Sequence, residues 1–360
     1  MKHFFHIHSN INLIVAIALI EKKKLPKEDV VFFIARNIQT DYPGIKKVFI
    51  SDEIYYTPFA KKRLALTLAN DLRIIKMIDK MIKENCEKDD FTYYVPHSRN
   101  ALYTIFLTHI HCVQVHYIED GMDNYLSVDG LEKKFPHKVP KGHRLLDRFY
   151  GQFWFYKFDR LRSYDDIYRS IGRNESTLFG IGKNSYQNQA NRGKKIEILD
   201  VAEVPFFDQF TVSDEAVFVF DAVEEQKVVP GEILDKLLHW FGRHYSDIQS
   251  IAIKFHPFQS NKNRARIIGI FEQYMEVSTL ADSLLLECAF AKAKGLKVFG
   301  IGSSLLNYAY ELNSTNSVEI LYPYFLDEEQ YESSRLPIWE DCFRDNTRIS
   351  LAGRDFKYST

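Results

Sequence analysis

The 360-residue sequence has few cysteines, and they form no recognisable motif. Cys86, Cys112, Cys288 and Cys342 lie far apart and include no CxxC pair. Disulfide frameworks and structural zinc sites depend on close, regular cysteine spacing. We therefore expect reduced thiols in a cytoplasmic protein.

A charge excess and long apolar runs are also missing. The 47 basic and 48 acidic residues give a formal net charge of −1, which excludes nucleic-acid binding through the overall field of the protein. No stretch approaches the ~18 uninterrupted apolar residues of a membrane-spanning helix. Histidines interrupt the N-terminal apolar run, which predicts a strand, a turn and a helix rather than a signal peptide.

The common nucleotide-binding motifs are absent as well. Neither the dinucleotide fingerprint GxGxxG nor the phosphate loop GxxxxGK[ST] occurs, so any nucleotide must be held by another device. An Asp-x-Asp pair after an apolar strand, typical of metal-nucleotide sites, is missing too. Asp165 and Asp166 lie in a polar, tyrosine-rich stretch and are better interpreted as solvated. We expect no metal cofactor.

Strand-like and helix-like segments alternate through both halves of the chain. The apolar fraction of 46% supports a buried core, and this alternation predicts parallel sheets with helices on both faces. The predicted strands cover residues 3–8, 30–35, 47–50, 91–95, 112–118, 216–221, 250–255 and 296–301. The predicted helices cover residues 10–23, 59–85, 101–109, 233–245 and 305–312.

The pattern predicts the α/β class, with two Rossmann-like domains facing a central cleft. The first domain covers residues 1–205 and the second covers 206–340, while a tail of residues 341–360 packs back across both. The alternation is lost near residues 126–210, and we interpret 172–192 as approaching a linker. Ligands of open parallel sheets bind at the carboxyl ends of strands, so polar residues there are candidate site residues.

An acidic pair and a glycine, Glu119-Asp120-Gly121, follow the predicted strand 112–118. The glycine permits a sharp turn that aims a carboxylate away from the strand. A sugar hydroxyl has a pKa far above 7 and needs a base to take its proton as it attacks. Adjacent carboxylates raise one another's pKa, which would help the base hold that proton. The alternative is a solvated turn, since Asp-Gly is a common turn dipeptide.

A histidine and a proline, His256-Pro257, follow the predicted strand 250–255. His256 would donate a hydrogen bond or a proton to a departing phosphate, and Lys254 would add positive charge nearby. Proline biases the residue before it toward an extended conformation. A purely structural histidine at a strand end is the alternative.

Two serines, Ser303 and Ser304, follow Gly302 at the start of a predicted helix. Free N–H groups and the positive dipole end of such a helix form a phosphate site. A plain helix cap is the alternative, because serine is common there. Glu287 lies in an apolar run, where a carboxylate needs a partner. Ribose hydroxyls and a basic side chain are equally good partners for it.

Polar residues also follow two predicted strands in the first half: His8, Ser9 and Asn10 after one, and His97, Ser98, Arg99 and Asn100 after another. These groups would bind the hydroxyls of an acceptor sugar or a carboxylate through hydrogen bonds. The alternative is helix capping, which we prefer for Ser9 and Ser98.

Taken in order, the acidic pair with glycine, the His-Pro pair, the glutamate and the paired serines resemble the motifs of bacterial sialyltransferases. That group includes lipooligosaccharide sialyltransferases and capsular polysialyltransferases. The resemblance implies the GT-B fold and inverting, metal-independent transfer of sialic acid from CMP-sialic acid to a sugar hydroxyl, of galactose type, in a bacterial lipopolysaccharide or capsule.

The resemblance also implies a role for each motif residue. Asp120 would be the general base, with Glu119 and Gly121 beside the acceptor, and His256 would act on the CMP phosphate as it leaves. Gly302, Ser303, Ser304, Lys254 and Pro257 would surround the donor, and Glu287 would bind its ribose. Asn10, Ser98, Arg99 and Asn100 would contact the acceptor.

A basic and aromatic stretch, residues 137–162, suggests a further partner. Such residues suit an anionic lipid surface, although a solvated helix with a packed aromatic face explains them as well. We expect a cytoplasmic protein that contacts the inner face of the cytoplasmic membrane. Two rival functions stay open: a transferase of the same fold with another donor (CMP-Kdo, or a UDP- or GDP-sugar), and a non-catalytic protein that binds glycans or nucleotides.

Overall fold

The computed structural model describes residues 1–56, 65–86, 89–98, 100–126, 167–168, 175–190, 193–227, 229–321 and 349–351. It divides into two compact units. Unit 1 comprises Met1–Ile181 and Ser185–Asp200, and unit 2 comprises Gly182–Asn184 and Val201–Thr360. The boundary in the chain after Asp200 lies close to the predicted one after residue 205.

Unit 1 is built on a seven-stranded sheet in which every strand pairing is parallel. Its strands are β1 (Lys2–Ile7), β2 (Val30–Ile34), β3 (Lys46–Phe49), β4 (Phe91–Val95), β5 (Cys112–Ile118), β6 (Thr177–Gly180) and β7 (Lys195–Ile198). The spatial order is β3-β2-β1-β4-β5-β6-β7. Strand order therefore reverses between β1 and β4, which is the Rossmann switch point where ligands bind.

The helices of unit 1 are α1 (Asn10–Lys23), α2 (Asp52–Tyr55), α3 (Ala65–Cys86), α4 (Ala101–Leu107) and α5 (Gln187–Ala190). Helix α1 is buried on all sides from Ile11 to Ile20, as expected of a helix that is apolar all round. Phe4 of β1 packs against Phe33 and Phe91, with ring centroids 5.0 and 4.4 Å away. This aromatic layer fixes the central strands that carry the candidate residues.

Unit 2 repeats the design with six parallel strands in the order β10-β9-β8-β11-β12-β13. The strands are β8 (Ala216–Val219), β9 (Ser250–Lys254), β10 (Glu276–Thr279), β11 (Lys297–Gly300), β12 (Ser317–Ile320) and β13 (Ile349–Leu351). The helices are α6 (Gly231–His244), α7 (Asn261–Phe271), α8 (Leu286–Lys292) and α9 (Ser304–Leu312). The switch point lies between β8 and β11.

Most predicted elements are confirmed, and the errors are local. The interpretation of residues 172–192 as approaching a linker is wrong, because this stretch contains β6, an interior strand of unit 1. Four residues, Thr177–Gly180, are too few to show a period beside the polar residues that precede them. The other elements that were not predicted are β7, β10, β12, β13, α2, α5, α7 and α8. Of the predicted tail, only β13 is described, and it pairs with β12 inside unit 2.

No helix among the described residues is both long and apolar enough to cross a membrane. The basic and aromatic stretch 137–162 and the acidic pair Asp165-Asp166 lie outside the described residues.

Candidate active site

Asp120 lies just past the end of β5, at the carboxyl edge of the unit 1 sheet. Gly121 has φ 124° and ψ −151° and leads into a short 3-10 helix, Met122–Asn124. That backbone conformation is essentially restricted to glycine, so the predicted sharp turn is confirmed. The backbone N–H of Asp120 donates to Asn124 Oδ1 at 2.8 Å, which holds the aspartate in place.

The contacts of the Asp120 carboxylate fall on one oxygen. Oδ1 lies 2.8 Å from His8 Nε2, 3.4 Å from Asn12 Nδ2 and 3.5 Å from Ser9 Oγ. Within the described part of the chain, Oδ2 has no hydrogen-bond partner, and 23% of the side chain is exposed. Asp120 therefore has one anchored oxygen and one oxygen available to a substrate.

Burial raises the pKa of the Asp120 carboxyl, but the His8 imidazole, His97 and the Asn12 amide together bring it below the ordinary value. The expectation of a raised pKa for Asp120 is wrong, because His8, together with His97 and Asn12, stabilises the charged form by more than burial destabilises it. Asp120 is therefore ionised at neutral pH and ready to accept a proton.

His8 connects Asp120 to the interior of unit 1. It follows β1, is 7% exposed, and its Nδ1 lies 2.8 Å from the hydroxyl of Tyr103 in α4. Asn12, buried in α1, donates to the Glu119 carbonyl at 2.7 Å and accepts from the His8 backbone N–H at 3.3 Å. Sequence reasoning noted His8 only as an acceptor contact and missed Asn12 and Tyr103. The available signal was an asparagine inside an otherwise apolar helix.

Glu119 points the opposite way from Asp120 and is fully buried. Its carboxylate accepts from the Tyr125 hydroxyl at 2.5 Å and from the Ile181 backbone N–H at 2.8 Å. A Cβ on Gly180 would lie 3.1 Å from Glu119 Oε2 and would clash with Ser185 Oγ, so a glycine is needed beside Glu119. The predicted contact of Glu119 with an acceptor does not fit this position, which instead ties β5 to the end of β6.

The other predicted acceptor residues have varied positions. Ser9 caps α1, as expected, by accepting from the Asn12 N–H, and Asn10 is half-buried in the first turn of α1. The capping role expected of Ser98 is wrong, because its hydroxyl is buried and donates to the Ile167 carbonyl at 2.7 Å. Asn100 caps α4 instead. Arg99 lies outside the described residues.

In unit 2, His256 follows β9 and is half-buried, with Pro257 exposed beside it. Its Nδ1 accepts from the Phe258 backbone N–H at 3.2 Å. Burial lowers the pKa of His256, with the charge of Arg264 adding to this effect and Glu225 opposing it. The imidazole is therefore neutral at pH 7 and carries its proton on Nε2, which makes it a hydrogen-bond donor.

Lys254, the last residue of β9, does not present its charge to a ligand. Its ammonium donates to the carbonyls of Ala281, Asp282 and Leu284 at 2.6, 3.0 and 3.2 Å. An ammonium has three N–H donors, and all of them are used. The predicted contact of Lys254 with the donor is therefore replaced by a structural role, fixing the loop before α8.

That loop leads to Glu287, in the first turn of α8 and only 6% exposed. Burial raises the pKa of its carboxyl, opposed by its own backbone N–H and by the charge of Lys254. No ion pair within 4 Å is found for Glu287 among the described residues, although a buried carboxylate normally has one. Of the two partners expected for Glu287, the basic side chain is not found in an ion pair with it in the described part of the chain.

Ser303 caps α9 by accepting from the Leu305 N–H at 3.4 Å. Ser304 is the first residue of the helix and is exposed, and Gly302 precedes both serines. The expected helix cap is thus present, and the Ser303 hydroxyl keeps its own proton for another acceptor. His256, Glu287 and Ser303 follow β9, β10 and β11. All three therefore lie at the carboxyl edge of the unit 2 sheet, which includes its switch point.

A model of the alpha-2,8-polysialyltransferase (POLYST) family matches residues 3–322, most of the chain. The chain belongs to this family. The resemblance to bacterial sialyltransferases is thereby confirmed, and this polysialyltransferase-family protein is a glycosyltransferase that acts on sialic acid. No curated protein matches the sequence.

Solved structures resemble this family member in fold. A sialyltransferase from Photobacterium damsela gives a TM-score of 0.52 at 10% identity, covering 97% of this chain and 80% of that one. The UDP complex of MnaA from S. aureus gives 0.49 at 12% identity, covering 89% and 79%. A UDP-GlcNAc 2-epimerase from Neisseria meningitidis gives 0.45 at 11% identity, covering 98% and 87%. The first likeness, together with the two Rossmann-like units, confirms the α/β GT-B class.

Proposed function

We propose that this protein transfers sialic acid from CMP-sialic acid to a sugar hydroxyl, with inversion, and that Asp120 is the general base. The observation that carries the proposal is the asymmetric carboxylate of Asp120. It is ionised, anchored through Oδ1 and accessible through Oδ2 at the edge of the sheet where Rossmann-like units bind ligands.

The reaction is a single displacement. The acceptor hydroxyl gives its proton to Asp120 Oδ2 as its oxygen bonds to the anomeric carbon of sialic acid. The bond from that carbon to the phosphate oxygen breaks, and CMP leaves with the bonding electrons. One displacement inverts the configuration. Glu119 is unsuited to serve as a covalent nucleophile because it is fully buried.

The second unit supplies groups suited to the donor. The neutral His256 donates through Nε2, and the hydroxyls of Ser303 and Ser304 and the N-terminus of α9 add further donors for a phosphate or carboxylate. Donors preorganised around an oxygen that gains charge stabilise the transition state. Glu287 is buried and forms no ion pair with the residues that the structure describes, so its carboxylate suits the hydroxyls of the ribose.

The proposal includes no metal, since preorganised hydrogen-bond donors can stabilise the charge on the departing phosphate. The family description favours the 8-hydroxyl of a sialic acid as acceptor over the galactose-type hydroxyl expected from the motifs. We place the reaction in the cytoplasm, at the inner face of the membrane, where bacterial surface glycans are assembled.

The experiment measures release of CMP and formation of glycoside from CMP-sialic acid, with oligosialic acid and a galactoside as separate acceptors. CMP-Kdo and UDP- and GDP-sugars serve as rival donors. We expect turnover of CMP-sialic acid in excess EDTA, with oligosialic acid preferred. Turnover of another donor alone would contradict the donor assignment. Tight CMP binding without any transfer would favour the non-catalytic rival.

Asp120→Asn isolates the base, with Asp123→Asn in the same short turn as its matched control. We expect Asp120→Asn to lower kcat by ~10²–10⁴-fold, the usual contribution of a general base, and to leave CMP binding unchanged. Asp123→Asn should retain transfer. Equal activity of the two variants would remove Asp120 from the mechanism.

A further inference from the structure

His6 lies in β1 and His8 follows it, and both histidines are buried. Among the described residues, the one of the two that contacts the acidic motif is His8. His6 Nδ1 lies 3.2 Å from the Tyr93 hydroxyl, and its Nε2 has no partner within the described residues. His8 Nδ1 lies 2.8 Å from the Tyr103 hydroxyl, and its Nε2 lies 2.8 Å from Asp120 Oδ1. The two pairs are alike in chemistry and burial and differ in their contact with Asp120.

The proton between His8 and Asp120 is fixed by the chemistry of the two groups. An ionised carboxylate only accepts hydrogen bonds, so a proton must lie on His8 Nε2. The other ring nitrogen then accepts from Tyr103 when the ring is neutral, or donates to it when the ring is charged. In both cases Tyr103 holds the ring orientation, and the buried Tyr103 is itself fixed within α4.

We propose that His8 is a positioning residue for transfer: with Tyr103 behind it, His8 occupies Asp120 Oδ1, so that Oδ2 alone is aimed at the acceptor hydroxyl. The inference rests on the proposed function, because it assigns the orientation of the proposed base. A hydrogen bond to the charged form also keeps Asp120 ionised.

Other titratable groups interact with Asp120 and must be separated from His8. They are His97 after β4, Tyr55 of α2, Tyr103 of α4, and Tyr168, Tyr186 and the neighbouring Glu119. Burial raises the pKa of each of these four tyrosines, so they stay neutral over the working range. His8 is in direct contact with Asp120, with its Nε2 2.8 Å from Oδ1.

The test compares His8→Phe, which keeps a ring without donors, with His8→Gln, whose amide still donates to Oδ1. The matched controls are His6→Phe and His6→Gln. At pH 7 we expect His8→Phe to lower kcat by ~10²-fold, the cost of a misplaced reacting group, with KM for the donor unchanged. His8→Gln should retain activity within ~10-fold of the wild type. The His6 variants should show the wild-type pH profile.

The pH profile separates positioning from packing. Asp120 must be ionised to act as base, so activity falls on the acid side as it protonates. Loss of His8 removes the interaction that lowers the pKa of Asp120, so the acid limb moves to higher pH. The proposal would be overturned if His8→Phe kept the wild-type kcat and the wild-type pH dependence on the acid side. It would also be overturned if His8→Phe and His8→Gln lost equal activity.

Two further measurements distinguish loss of the His8 contact from a folding defect and from failure of the proposed function. Tyr103→Phe removes one hydroxyl and should lower kcat by several-fold, whereas Tyr93→Phe should not. Carbon-13 NMR of the Asp120 carboxyl, identified with Asp120→Asn, should show a higher titration midpoint in His8→Phe than in the wild type, whether or not sialic acid is transferred. An unchanged midpoint would overturn the His8 proposal alone.

Discussion

Glu119 and Asp120 are consecutive in the chain, yet their side chains serve opposite environments. Glu119 is fully buried and bonded to Tyr125 and to the Ile181 backbone, whereas Asp120 lies at the sheet edge against His8. Successive side chains of an extended chain alternate in direction, so Glu119 and Asp120 point to opposite sides. Glu119 fixes the strand end, and Asp120 is the base in the proposed reaction.

The turn after the pair gives a prediction about stability. Gly121→Ala should lower the free energy of unfolding by on the order of 1–3 kcal/mol, because a Cβ is strained at φ 124°. Gly269→Ala, in the last turn of α7 with open space at the Cβ position, is the control and should gain up to ~0.5–1 kcal/mol. Urea denaturation of both variants checks this, and a fully stable Gly121→Ala protein would contradict it.

Lys254 gives a second prediction, because its ammonium is bound to three carbonyls rather than to a ligand. Lys254→Met should lower the free energy of unfolding by about 1.5–3 kcal/mol, as for hydrogen bonds to a charged group. Lys297→Met, which removes ion pairs at a 36% exposed side chain, should cost about 0–1 kcal/mol. If Lys254→Met instead keeps full stability but loses CMP affinity, the structural role is wrong.

His256 gives a third prediction, on pH. Because its pKa is lowered by burial, its neutral form predominates throughout the range from about pH 6.5 upward. As a neutral donor it should cause no loss of kcat between pH 7 and about 8.5, whereas an essential imidazolium would cause a steady fall. Initial rates across this range decide between the two.

The matched substitutions at His256 are Phe and Gln. His256→Phe, which removes the Nε2 donor, should lower kcat by ~10²–10³-fold, as for a lost donor to a charged oxygen. His256→Gln, whose amide nitrogen replaces Nε2, should retain more activity. A His256→Phe enzyme as active as the Gln variant would argue against a donor role.

Much of the fold could be predicted from the sequence because the strands of buried parallel sheets are continuous apolar runs. β2, with the sequence VVFFI, and β4, with FTYYV, are buried at every position. β6 and β10 could not be found in this way, since each has only four residues, and those of β10 are mostly polar. Their position depends on pairing with neighbouring strands, which local sequence does not encode.

In the candidate site, too, the features that depend on local sequence could be predicted and those that depend on tertiary contacts could not. Motif residues at strand ends, such as Asp120 and His256, could be predicted because strand ends and turn residues are local features. The anchoring of Asp120 by His8 could not, because β1 and β5 are far apart in sequence and separated by β4 in the sheet. The direction of Glu119 depended in turn on the unpredicted strand β6.

Glu287 provides the final prediction: its substitution should make the protein more stable and should weaken the binding of CMP. Its pKa is raised by burial, so it favours folding at low pH, and this contribution is lost as pH rises through the folded pKa. At pH 7 Glu287→Gln should therefore raise the melting temperature by ~2–4 °C, with the gain shrinking toward about pH 4 as the wild-type carboxyl protonates. CMP should bind ~10-fold more weakly, because the amide presents one acceptor where the carboxylate presents two.

Glu311→Gln is the matched control in the same unit. Its carboxyl pKa is also raised by burial, but both oxygens accept hydrogen bonds from Asn184, at 2.9 and 2.8 Å. In Glu311→Gln the amide NH₂ would face one of the two N–H donors of Asn184, and that hydrogen bond would be lost. Glu311→Gln should therefore lower the stability at pH 7. Calorimetric melting and CMP titration of both variants separate the two carboxylates. A Glu287→Gln protein that is less stable and still binds CMP normally would show that Glu287 supports the fold and not the nucleotide.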